Sequence, residues 1–119
     1  MVASTWSEFT AGLNDEDLAL ITTYRDFCRE LEGVEERVHR SEVQYAVKRI
    51  FTSAYVKSHY LEIGLELVRE AEHPKLRTAF ATSKRVTMHR ITLREEREFD
   101  DALRELIDEA RQTVGPGFT

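Results

Sequence analysis

Apolar residues recur at intervals of three and four from Leu18 through Ile21, Tyr24 and Cys28 to Leu31. Such spacing lays one stripe along a helix and predicts a helix over residues 15–31. Asn14 stands where its side-chain oxygen can take an unpaired first-turn amide, and Asp15, Glu16 and Asp17 suit the positive end of the helix dipole. Gly33 marks the stop. Trp6 and Phe9 predict a short extra turn packed on this helix.

Between residues 38 and 68 the period changes to two. Val43, Tyr45 and Val47 alternate with polar or small neighbours, residues 51–56 are rich in β-branched and aromatic side chains, and Leu61, Ile63, Leu65 and Leu67 alternate strictly. Three half-buried strands are predicted, joined at Lys48-Arg49 and Ser58-His59. Residues 60–72 also admit a helical reading through Leu61, Leu65 and Val68, but strict alternation favours a strand ending near Val68. Pro74 breaks the pattern, and residues 75–80 are expected to form one helical turn. Residues 85–93 alternate again as a fourth strand. A final helix is expected over residues 95–114, with Phe99, Ala102, Leu103, Leu106, Ile107 and Ala110 on its apolar face and Gly115-Pro116-Gly117 at its end.

The expected fold is therefore α+β. It has a four-stranded antiparallel sheet with an N-terminal and a C-terminal helix packed on one face, in the order α-β-β-β-(short helix)-β-α. With 119 residues, 41% of them hydrophobic, the chain is expected to form one domain over residues 1–119. Residues 1–13 are expected to be a partly flexible start and residues 115–119 a tail. Periodicity leaves open which sheet face is covered, because a one-residue slip exchanges the two.

Charge changes the picture more than composition does. The net charge is −5. Residues 1–36 contribute −7, residues 37–97 contribute +6, and residues 98–119 contribute −4. One explanation is that acidic helices neutralise a basic sheet; the other is an anion-binding face. A lone cysteine, Cys28, suits a reducing compartment. No apolar run approaches the ~20 residues that span a bilayer, and residues 1–9 lack a signal-peptide pattern. A cytoplasmic protein is expected, with no membrane association.

Several stretches together resemble a known family. They are Val43-Gln44-Tyr45-Ala46-Val47 with Phe51, Tyr60-Leu61-Glu62-Ile63-Gly64-Leu65, His73-Pro74-Lys75-Leu76-Arg77, Met88-His89-Arg90-Ile91-Thr92-Leu93, and Phe99-Asp100-Asp101-Ala102-Leu103 leading to Glu109-Ala110-Arg111. Over residues 34–114 the chain resembles the uncharacterised bacterial "domain of unknown function 5655" family. The family commonly ends its last helix with an alanine-tyrosine pair, where this chain has Ala110-Arg111. The resemblance implies an α+β fold and brings no catalytic residues. It also implies occurrence alone or joined to other small domains, some in proteins labelled as predicted transport proteins and others beside nuclease-like domains.

The residues themselves offer no phosphate loop, nucleophile elbow or paired metalloprotease histidines. Cys28 falls on the apolar stripe, where a thiol is inert. The histidines His39, His59, His73 and His89 have no metal-ligand spacing. No catalysis, metal or cofactor is expected. The expected function is a small binding module that takes an unknown protein or small ligand through the sheet, with a homodimer as one form of partner. The alternative is nucleic-acid binding through the basic sheet and turns of residues 37–97, where cations would track phosphates and rings would stack on bases. The candidate contact residues are Arg40, Lys48, Arg49, Tyr55, Lys57, Tyr60, Lys84, Arg85 and Arg90. Glu42, Glu62 and Glu66, on the same exposed face as Gln44, would repel phosphate.

Overall fold

A computed structural model describes residues 2–118. A short helix α1 (Trp6–Thr10) precedes α2 (Asp15–Arg29), which begins where expected because the Asn14 side chain accepts the Asp17 amide at 2.8 Å. The ring of Trp6 lies against α2, with the Arg25 guanidinium 4.1 Å from its centroid. Six strands follow: β1 (Glu35–Val38), β2 (Val43–Ala46), β3 (Ile50–Lys57), β4 (Tyr60–Leu67), β5 (Leu76–Ala81) and β6 (Thr87–Leu93). A 3-10 turn (Glu96–Glu98) then leads to α3 (Asp101–Thr113). The sheet order is β1-β2-β3-β4-β6-β5, antiparallel throughout.

Six strands replace the expected four. The two additional strands are the edges, and their side chains explain why alternation did not mark them. β5 is the segment expected as a helical turn; five of its six residues pair with β6, while most of its side chains remain in solvent. Backbone pairing with β6 makes it a strand, and an edge has no second neighbour to demand an apolar pattern. β1 is likewise short and polar. Glu36 stands opposite Tyr45 and takes both its hydroxyl and a two-pronged bond from Arg25. Along the outer side of β1, Ser4 donates its amide to the Val38 carbonyl and Arg40 donates its own to the Val2 carbonyl.

The segment that admitted two readings is a strand. Leu61, Ile63, Leu65 and Leu67 are all buried, which only alternation achieves on one sheet face. Both expected hairpin turns are present. Ser58 and His59 adopt φ of 52° and 66°, the left-handed pair that a two-residue hairpin demands and that Asn-Gly more often supplies. The last helix starts six residues later than expected. The Asp100 carboxylate accepts the Leu103 amide and also His73 Nε2–H, so it caps α3 while anchoring the loop before β5. Ala102, expected on the apolar face, is exposed.

α2 and α3 both lie over β3 and β4. Their buried residues Ile21, Tyr24, Leu103 and Ile107 join Val43, Tyr45, Phe51, Ile63, Leu65 and Ile91 in one core. A bulge opposite Tyr45/Ala46 puts one extra residue in β3, so that consecutive Phe51 and Thr52 are both buried while Ile50 falls on the opposite face. Thr52 ties the layers together: its hydroxyl donates to the Gly64 carbonyl at 2.7 Å and receives the Tyr24 hydroxyl at 3.0 Å. No helix among the described residues is long and apolar enough to cross a membrane.

Candidate functional site

Because both helices cover one face of the sheet, the other face carries no further layer. Register places Gln44, Ser53, Gly64 and Arg90 opposite one another across β2, β3, β4 and β6. Gly64 has no side chain to fill its place in that row. A Cβ there would sit 3.4 Å from Met88 Sδ and 3.5 Å from Ser53 Oγ, so the missing atom leaves a dip rather than relieving a clash. The dip opens into a depression of about 330 Å³, walled by Tyr55, Met88, Ile50 and Arg90 and by the carboxylates of Glu42, Glu62 and Glu66.

The carboxylates are differently committed. Glu66 accepts Arg49 Nη2 at 3.0 Å and the Thr82 hydroxyl at 3.4 Å. Glu62 accepts the Thr92 hydroxyl at 2.8 Å, and Arg77 reaches it at 3.9 Å. The Glu42 side chain makes no ion pair among the described residues. Tyr55 is paired with Glu62 across β3 and β4, and Glu42 directly precedes Val43, whose partner is Ala54. The phenol therefore has a carboxylate on either side of it. Arg90 holds the opposite part of the depression, with its guanidinium 5.5 Å from the Phe80 ring.

The nine candidate contact residues do not form one surface. Tyr55 and Arg90 lie on the uncovered face. Arg40, Lys57 and Tyr60 gather at one end of the strands, where Tyr60 is occupied by Arg94, whose Nη1 donates to the phenol at 3.4 Å and whose guanidinium covers the ring. Lys48 and Arg49 occupy the β2–β3 turn, and Lys84 and Arg85 the β5–β6 connection, both at the other end. An eight-residue strand separates the two ends by roughly 25 Å. A continuous basic track over the sheet is thus broken in the middle by Glu42, Glu62 and Glu66.

The histidines are placed for structural bonds. His89 is buried, its Nε2 accepting the Ala71 amide at 2.9 Å while Nδ1–H donates to the Thr87 carbonyl at 3.1 Å. Both ring nitrogens are thereby used. His73 accepts the Lys75 amide at Nδ1 and donates from Nε2 to Asp100, and His59 Nδ1 meets Asp17 at 2.8 Å. His59 and His89 do not meet. Cys28 is fully buried, and that burial pushes its thiol up, away from the reactive thiolate. Among the described residues no group of three or more potential ligands could hold a metal ion.

Sequence reasoning missed Ser53 and Gly64 as site residues. The signal was present: a glycine in the middle of an otherwise strictly alternating strand often marks close approach or a gap in the surface.

The fold and this face define a two-layer α+β domain with helices on one side of a six-stranded antiparallel sheet and a polar depression on the other. The chain belongs to the family described as a domain of unknown function (DUF5655), whose model matches residues 7–113 and so takes in both N-terminal helices as well as the sheet. No curated protein and no solved structure matches the chain.

Proposed function

We propose that the domain is a non-enzymatic binding module that holds a small ligand with a cationic group, such as an amine, on its uncovered sheet face. The observation that carries this reading is the gap at Gly64, centred in a polar face and opening a depression at the lower end of the size range of small-molecule sites. Ligand charge follows from the lining. The Glu42 side chain makes no ion pair among the described residues and Glu62 is only partly engaged, and the Tyr55 ring between them offers a π face to a cation. Arg90, which also lines the depression, would meet an acceptor elsewhere on the ligand.

Titration of isotope-labelled protein with small amines and carboxylates, followed by amide NMR shifts, tests the reading. Amines are expected to move the amides of residues 53–55 and 62–64, and Gly64→Leu is expected to abolish the shifts by filling the gap. Shifts that survive Gly64→Leu, or that map outside this face, overturn it.

A further inference from the structure

We propose that the end of the sheet formed by the β2–β3 turn and the β5–β6 connection is a binding site for single-stranded nucleic acid. The proposal is independent of the ligand on the uncovered face. Acidic side chains outnumber basic ones, 22 to 17, and among the described residues nine of those 17 cations hold a carboxylate. Eight arginines and lysines elsewhere each hold a carboxylate. At this end Lys48, Lys84 and Arg85 are exposed and make no ion pair among the described residues, and Arg49 shares its carboxylate partner, Glu66, with Thr82. Such a cluster of exposed cations sets up a local positive potential that draws in an anion.

The cluster is also built rather than accidental. The amides of Lys48 and Arg49 both donate to the Gly115 carbonyl at 2.9 Å, which ties the turn to the end of α3. Ser83 Oγ accepts the amides of Arg85 and Val86, shaping the other tip. Gly117, at φ +81°, then turns the chain back so that Phe118 lies between the tips. The guanidiniums of Arg49 and Arg85 stand 5.7 and 5.4 Å from its ring centroid, and Phe118 as a residue remains 39% exposed. Planar cations held on an aromatic ring present both phosphate donors and flat surfaces for unpaired bases. An acidic peptide would use the charges and leave the stacking surfaces idle. A duplex would hide its bases and leave the same stacking surfaces idle.

The test is fluorescence anisotropy with a labelled oligothymidylate, a duplex of the same length and a polyglutamate of matching charge. With about three phosphates neutralised, oligothymidylate affinity is expected to fall roughly 70-fold between about 20 and about 150 mM salt. The Lys84→Glu/Arg85→Glu double variant is expected to lose at least about tenfold. Phe118→Ala is expected to weaken oligothymidylate binding and leave polyglutamate unchanged. Lys57→Glu at the opposite end is expected to leave oligothymidylate binding unchanged. The proposal is overturned if the double reversal leaves oligothymidylate affinity intact. It is equally overturned if polyglutamate or duplex binds as tightly and Phe118→Ala is silent, since the end would then be a generic anion attractor.

Discussion

Replacing Thr52 by valine removes a hydroxyl from the interior while keeping its shape, and the consequences follow from two bonds. Thr52 Oγ1 donates to the Gly64 carbonyl, so its lone pairs are what receive the proton of Tyr24. Tyr24 is fully buried, which leaves no water to replace that acceptor. An orphaned buried donor costs about 1–3 kcal/mol. Cys28 lies close enough to interact with the phenol, and its sulfur is a weak acceptor, so the lower part of that range applies, about 1–2 kcal/mol. With a urea slope of about 1.5 kcal/mol per M, the unfolding midpoint is expected to fall by about 1 M. Tyr24→Phe in the same background removes the orphan itself. The double variant is therefore expected to be more stable than the sum of the two single losses implies, with a coupling of about 1 kcal/mol. Urea titrations of the four proteins, monitored by fluorescence and by far-ultraviolet circular dichroism, supply the cycle. Strictly additive losses would refute the reasoning, because they would mean that the two hydroxyls do not depend on each other.

Two further outcomes are expected at the junction of the β5 loop and α3. Asp100→Ala should cost about 2–4 kcal/mol, since it removes a helix cap and leaves the buried His73 Nε2–H unpaired; Asp100→Asn should recover most of this, because one oxygen, Oδ1, accepts both bonds, and thermal unfolding of the two variants decides it. Glu98 is held down to about 2, first by its bond to Lys75 and then by the amides of Arg94 and Glu95. A depressed carboxyl contributes its stability above the ordinary value of 4.5 and loses it as pH falls through the folded value. The stability gap between the native chain and Glu98→Gln should thus be full at neutral pH and close between about 4.5 and about 2, as followed by urea unfolding across that range; a constant gap would contradict the assignment.

Much of the molecule was legible before any coordinates. The stripe from Ile21 to Cys28, the Asn14 cap, the alternation of Leu61 to Leu67 and both hairpin turns each depend on neighbours within a few residues. For such elements local pattern and tertiary burial agree. β1 and β5 were not legible, because periodicity reports burial and an edge strand buries little; their identity comes from backbone pairing with β2 and β6. Asp100 caps α3 and also holds His73, a bond between residues 27 positions apart that no local pattern announces.

The candidate site divides in the same way. Charge counting along the chain located a basic middle section and an acidic counterweight on Glu42, Glu62 and Glu66. Strand alternation alone put those carboxylates with Gln44 on one face. Only the tertiary structure decided that α2 and α3 cover the opposite face, that Gly64 leaves a gap in the open one, and that Arg49 and Arg85 meet around Phe118. These depend on sheet order, set by contacts distant in sequence, and on a reversal at Gly117 that carries Phe118 to both arginines. A linear pattern records which residues seek burial; it does not record which of them become neighbours when the burial is complete.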